Sequence, residues 1–322
     1  MVCGSRGRSM SGEGAERPRF ATGQDVPTDS ARYRIIDPLG RGGNSDVYLC
    51  QAIAGRHKGF LFAAKLMTSL DKPDRVARFA VELKFLKSIE HPGVMRVVDS
   101  GTQIFGPTTN RIEVPFYIAE YLPKTLRECM RSGLTMIEKV STALQLVSAL
   151  SFLSQNDPPI IHRDIKPENI FVRGRTPVIG DFGLMKSLGS EAVEAAFSVG
   201  DLSRGIRFPR FYPTPELIRY AKDSAVVLCP KSDVFQMGLV FAEMFCDVDP
   251  IEPRAKPLDS IVLGRLPEIS GTQGPVIRAA IARMLELDVA KRPSALDELD
   301  CWDGAFREVS SDARRIEGRA FL

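Results

Sequence analysis

Within the stretch IIHRDIKPENIFV, residues 160–172, Asp164, Lys166 and Asn169 stand between two apolar ends. A polar loop anchored on Ile160-Ile161 and Ile170-Phe171-Val172 is held in place rather than left in solvent. A second carboxylate, Asp181, follows in IGDFG after a short strand. An asparagine carbonyl and carboxylates are hard oxygen donors. They suit Mg²⁺, which retains waters and is bound by one or two carboxylates together with substrate phosphates. Singly, Asp and Asn are ordinary turn formers and caps; it is their order that suggests chemistry.

Two further features lie upstream. Lys65 interrupts the apolar run LFAAKLM, and lysine is rarely buried without a partner. Glu82 borders the apolar face of the following helix (Val76, Phe79, Leu83, Leu86) and could pair with it; a lysine snorkelling from an edge strand is the alternative. In GRGGNSDV, Gly40, Gly42 and Gly43 let backbone approach phosphate oxygens without Cβ interference. By itself this is also compatible with a simple hairpin turn. The pattern G-x-G-x-x-(G)-x-V runs to Val47, with Ser45 at the third glycine position, and no Gly-Lys-Ser/Thr follows.

The elements that must position these residues read as strands first and helices later. YRIIDPLG, SDVYLCQAI and GFLFAAKLM are β-type runs, a helix starts near Asp71–Asp74 and ends at the HPG of His91, and VMRVVDSGT and VPFYIAEYL are two more strands. Helical patterns follow at 134–153, 233–245 and 276–287. A β-rich part followed by a helix-rich part predicts two lobes with a cleft between them. Residues 1–29, rich in Gly, Ser and Arg, are expected to be a disordered tail.

Composition narrows the class. With 44% hydrophobic and 26% charged residues the 322-residue chain is of ordinary globular type. A net charge of +3, spread along the chain, gives no argument for nucleic acid. Six cysteines without close pairs argue against a zinc knuckle or disulfide framework and for a reducing compartment. No apolar run approaches the roughly 18–20 residues of a membrane span, and no apolar segment follows the N-terminal arginines as in a secretory signal. The expectation is a cytoplasmic protein.

In motif order, the sequence resembles the eukaryotic-type (Hanks-type) protein kinase family from about Tyr33 to about Val309. The matching residues are Gly40 to Val47, Ala63-Ala64-Lys65, Glu82, His162 to Asn169, Asp181-Phe182-Gly183, Thr214-Pro215-Glu216, Asp233 with Gly238, and Arg292. The resemblance implies an α+β fold: a small antiparallel-sheet N-lobe with one main helix (30–119), a hinge (120–122) and a larger, mainly helical C-lobe (123–309), with 310–322 as a tail. It implies ATP and Mg²⁺, a protein substrate, and a Ser/Thr acceptor, because Lys166 stands two residues after Asp164. Lys65, oriented by Glu82, would hold the α- and β-phosphates, while Asn169 and Asp181 would hold Mg²⁺. Asp164 would orient the acceptor hydroxyl, and Lys166 would sit near the γ-phosphate. Val47, Ala63 and Phe171 would enclose adenine beside backbone groups of Glu120 to Leu122, with the small Ala119 behind. Glu216, Asp233, Arg292 and His162 would be structural.

The sequence departs from the family in the activation segment. Thr214 replaces the usual alanine, and Pro209 stands where Ser/Thr kinases usually carry a threonine. Arg163 could pair with a phosphorylated loop residue, with Ser198 and Ser203 as candidates. Arg204, Arg207 and Arg210 could favour acidic substrates or simply be solvated. Two other classes compete: a pseudokinase scaffold, opposed by the full set of catalytic residues, and a small-molecule phosphotransferase, opposed by Thr214-Pro215-Glu216, Asp233 and Arg292.

Overall fold

The computed structural model describes residues 17–70, 73–183, 185–187, 212–223, 226–251 and 261–320. By its internal packing the chain divides into two compact units, Met1–Asp71 with Asp99–Ile118, and Lys72–Val98 with Ala119–Leu322.

The first unit is built on a six-stranded sheet. Its strands are β1 (Asp25–Pro27), β2 (Arg32–Arg41), β3 (Ser45–Ala54), β4 (Leu61–Met67), β5 (Val97–Phe105) and β6 (Ile112–Glu120), in the order β1-β2-β3-β4-β6-β5. β3 alternates strictly: Asp46, Tyr48, Cys50 and Ala52 are buried and the residues between them are half-buried, as a two-residue side-chain period requires. The antiparallel register pairs Val47 with Lys65 and Leu49 with Ala63, so these four side chains share the less buried face.

The expectation of a disordered tail to residue 29 fails for residues 17–29. β1 pairs with β2, and Phe20 is buried, its ring 5.3 Å from Tyr48, 5.4 Å from Phe116 and 6.0 Å from Phe105. One aromatic anchor and one short strand are enough to tie down a segment of otherwise polar composition.

The second unit is mainly helical: α1 (Pro73–Ser88), α2 (Leu126–Ser132), α3 (Met136–Gln155), α4 (Pro215–Lys222), α5 (Lys231–Cys246), α6 (Gly274–Met284) and α7 (Ala295–Ala320). Helix α1, expected in the N-lobe, groups with this unit, where Phe85 packs on Phe182 at 5.5 Å and Val94 bridges to Ile179. Thr125 and Thr135 start α2 and α3 with complete capping boxes, closed by Glu128 and Glu138. α3 is long and apolar enough by composition to cross a membrane, yet Val140, Ala143, Leu146, Val147, Leu150 and Leu153 are buried inside the unit. α5 is buried along almost its whole length, and Trp302 of α7 packs on its Phe241 and Phe245 at 4.9 and 5.8 Å. The expected C-terminal tail from residue 310 instead continues α7 to Ala320. Two short pairs of strands complete the unit: β7 (Ile160–Ile161) with β10 (Lys186–Ser187), and β8 (Ile170–Arg173) with β9 (Thr176–Ile179), the last two flanking the polar loop and the Asp181 turn.

Candidate active site

In the first unit, Gly40 still pairs with Val47 before the hairpin turns through Gly42, whose N–H donates to Ser45 O at 2.9 Å. A Cβ on Gly42 would lie 2.9 Å from that oxygen, so the turn requires glycine. Lys65 lies directly across from Val47, its Nζ 5.6 Å from the centre of the Tyr117 ring, within range of a cation–π attraction. Ala63 lies one pleat away on the same face.

In the second unit the loop 162–169 hangs from α5. Asp233 accepts the N–H of His162 at 2.6 Å and of Arg163 at 2.9 Å. Three residues on, and so on the same face of the helix, Gln236 accepts Ile165 N–H at 2.9 Å and donates to the carbonyls of Arg163 and Tyr212. These bonds hold Arg163 at φ 68°, a left-handed conformation for a non-glycine residue. Asp233 is buried at 2% exposure, and burial pushes its pKa up to about 6. Arg163 is buried too, donates to Met185 O at 3.0 Å, and burial lowers its pKa to about 10.

Past this turn the reactive groups converge. Lys166 Nζ lies 2.7 Å from Asp164 Oδ2, and Asn169 Nδ2 donates to Asp164 O at 2.9 Å and to Oδ2 at 2.8 Å. Burial raises the Asp164 pKa and the charge of Asp181 adds to the rise, while Lys166 and Asn169 oppose it. The carboxylate is thereby held in one orientation with one oxygen less engaged. Asn169 O accepts Gly180 N–H at 2.9 Å, bringing Asp181 alongside. Gly180 has no room for a side chain: a Cβ would stand 2.7 Å from Met95 Cε and 2.9 Å from the Phe171 ring. Asp181 is itself left-handed at φ 57°, and the following Phe182 is fully buried.

His162 packs behind the loop. Its ring lies 4.6 Å from Phe182, Nε2 is 3.0 Å from Gly180 O, and Nδ1 accepts Asp164 N–H at 3.3 Å. That pair of contacts needs the proton on Nε2.

The donor set fits Mg²⁺. The Asn169 amide nitrogen is committed to Asp164, which leaves its carbonyl oxygen as a hard donor, and the Asp181 carboxylate is a donor of the same kind. Among the described residues no group of three or more His, Cys, Asp or Glu side chains forms a metal cage.

The remaining expected residues fall in several places. Glu82 is buried on α1 at 1% exposure. Glu120 is tied down, accepting from Arg173 and from Arg96 N–H at 2.9 Å. Leu122 has neither its N–H nor its C=O paired among the described residues. Phe171 is half-buried at the start of β8. Glu216 and Arg292 meet at 2.8 Å, both buried, with Arg292 also donating to the carbonyls of Glu286 and Lys231. Gly238 lets α5 approach α6, since a Cβ would lie 3.0 Å from Leu285. Thr214 caps α4, accepting Leu217 N–H at 3.1 Å, which gives this departure from alanine a physical reason. Ser198, Ser203, Arg204, Arg207, Pro209 and Arg210 lie outside the described residues.

Sequence reasoning missed a buried cluster. Arg127 donates to Glu168 at 2.7 Å, to Glu243, and to Tyr212 Oη at 3.2 Å, while Tyr212 also donates to Glu243. Arg127 N–H further bonds Pro167 O at 3.2 Å, so α2 grips the loop through backbone and side chain together.

The sheet bears a glycine-rich hairpin and a strand lysine, and the helical unit presents an Asp–Lys–Asn cluster beside a second aspartate, which are the features by which the sequence resembles the protein kinase class. The protein kinase domain model matches residues 33–301, and the chain belongs to that family. It is 27% identical over 284 residues to the serine/threonine-protein kinase sel-5 of Caenorhabditis elegans, covering 84% of this chain and 25% of that protein. It is 29% identical over 233 residues to the serine/threonine-protein kinase PknB of Mycobacterium leprae, covering 70% of this chain and 34% of the relative. For pkn2 of Myxococcus xanthus, also a serine/threonine-protein kinase, the identity is 27%, with 83% and 31% covered. The chain thus spans about a quarter to a third of the length of these relatives.

Proposed function

We propose that this chain is an ATP-dependent protein kinase that transfers the γ-phosphoryl group to serine or threonine hydroxyls of proteins. The observation that carries this reading is the Asp164 carboxylate, held by Lys166 at 2.7 Å and Asn169 at 2.8 Å beside the charge of Asp181. Asp164 orients the acceptor hydroxyl through its less engaged oxygen and accepts its proton as the oxygen–phosphorus bond forms. ADP leaves as the old bond breaks. Lys166 offsets negative charge near the γ-phosphate, a contribution strengthened in a partly buried site. Lys65 is assigned to the α- and β-phosphates. Mg²⁺, held by Asn169 and Asp181, would supply charge neutralisation at the transferring group.

Lys166 two residues after Asp164, and the serine/threonine-protein kinase names of the relatives, support a Ser/Thr acceptor. The five described cysteines are free thiols, which supports a reducing, cytoplasmic setting.

The test incubates the chain with labelled ATP, Mg²⁺ and a generic protein acceptor, beside Asp164→Asn and Lys65→Met. The expected result is transfer to Ser/Thr by the wild type alone. Nucleotide-dependent thermal stabilisation without transfer would establish a pseudokinase instead.

A further inference from the structure

Three consecutive carbonyls of the glycine-rich turn are engaged. Gly42 O accepts from Arg17 at 2.6 Å, Gly43 O accepts from Arg17 at 3.3 Å and from Ser69 Oγ at 2.9 Å, and Asn44 O accepts Thr68 N–H at 2.9 Å. Across a trans peptide the N–H points opposite to the C=O. The amides of Gly43 and Asn44, which follow the two carbonyls held by Arg17, therefore point away from the guanidinium. Neither amide has a partner among the described residues.

Arg17 is itself fixed. It bonds Thr68 Oγ1 and lies 3.7 Å from the carboxylate of Asp46, which is buried at 1% exposure and accepts no hydrogen bond. A buried carboxylate without hydrogen bonds depends on a nearby cation. Three residues further on, Phe20 locks the segment into its aromatic cluster.

We propose that Arg17 is a positioning residue for nucleotide phosphates: by holding the Gly42 and Gly43 carbonyls it presents the Gly43 and Asn44 amides to phosphate oxygens. Without it a Gly-Gly peptide rotates freely and turns carbonyl oxygens toward the phosphate as readily as N–H groups. Successive N–H groups on one side of a turn make an anion-binding concavity. The inference rests on the kinase reading above, which makes this hairpin a phosphate site.

The test compares the full chain with Arg17→Ala and Arg17→Lys in two measurements. Hydrogen exchange of residues 40–47 without nucleotide is expected to speed up in Arg17→Ala and to be intermediate in Arg17→Lys. Calorimetry is expected to give ATP binding weakened about tenfold in Arg17→Ala, the loss of about one charge-assisted hydrogen bond. Adenosine binding, lacking phosphate, stays unchanged, and Arg17→Lys recovers part of the ATP affinity. Unchanged exchange overturns the clamp. Faster exchange with ATP and adenosine weakened equally, or with neither weakened, overturns the positioning role. A wild-type chain that binds no ATP sinks the kinase reading and this role together, and is told apart from a failed clamp by the exchange result.

Discussion

Asp233→Asn separates the two things that this buried carboxylate does. The aspartate accepts both amides at the loop turn, His162 N–H at 2.6 Å and Arg163 N–H at 2.9 Å. An asparagine keeps one acceptor oxygen and turns an NH₂ group on the other amide. The donors left facing each other cost about 1–3 kcal/mol. Against this, a buried charge is removed. A rise in pKa from 3.8 to about 6, in which the two amide bonds and the Arg163 charge are already counted, corresponds to a net cost of the charge of about 3 kcal/mol at neutral pH. The two effects largely offset each other at about pH 7.5, so the variant is expected to unfold within about 2 kcal/mol of the wild type. The pH dependence is sharper. Because the folded-state pKa lies above the unfolded one, this group's stabilisation is complete below the unfolded pKa and is lost as pH rises through about 6. The wild type should therefore gain about 2.5 kcal/mol on Asp233→Asn between about pH 7.5 and about pH 4; taking the difference cancels the other carboxylates. Transfer activity falls by about tenfold or more, since Arg163 at φ 68° loses a tie that holds it against a left-handed cost of about 1–2 kcal/mol. Urea unfolding of both chains at the two pH values, with a transfer assay at neutral pH, checks this. A stability difference flat with pH, or transfer at the wild-type rate, would refute the reasoning.

Two further outcomes follow from packing. Phe20→Ala removes a ring buried among Tyr48, Phe105 and Phe116 and should cost about 3–5 kcal/mol in denaturant unfolding; an unmoved midpoint would return residues 17–29 to a loose tail. Arg292→Met leaves Glu216 buried without its cation and frees the carbonyls of Lys231 and Glu286, at about 3–5 kcal/mol. Adding Glu216→Gln should recover part of that loss, and simple additivity of the two substitutions would refute their pairing.

Much of the candidate site was legible because the chemistry demands particular residue types at close spacing. Asp164, Lys166 and Asn169 lie within six residues and converge as their order implied. Val47, Ala63 and Lys65 share a face because a two-residue period leaves a strand no choice. Signals shorter or longer than these windows were lost. A three-residue strand has no readable period, so β1 vanished into a polar composition. Arg127 reaches Glu243 across 116 positions, and no local pattern marks such a pair. Other misses had a signal. Thr214 followed by Pro215 is a helix start, cap then proline, a local signal that accompanies the departure from alanine. Ser294 and Asp297 exchange hydrogen bonds at the head of α7, a capping pattern visible in SALD.

The capping boxes at Thr125 and Thr135 also bear on the order in which the chain folds. Each closes within four residues and needs no distant partner, so the starts of α2 and α3 can form while the rest of the chain is open. The Glu216–Arg292 tie must instead wait for a span of 76 positions to close, with the chain entropy this removes. Contacts of the first kind set how readily the helical unit is nucleated. Those of the second kind form late and govern how long the finished unit lasts before it opens.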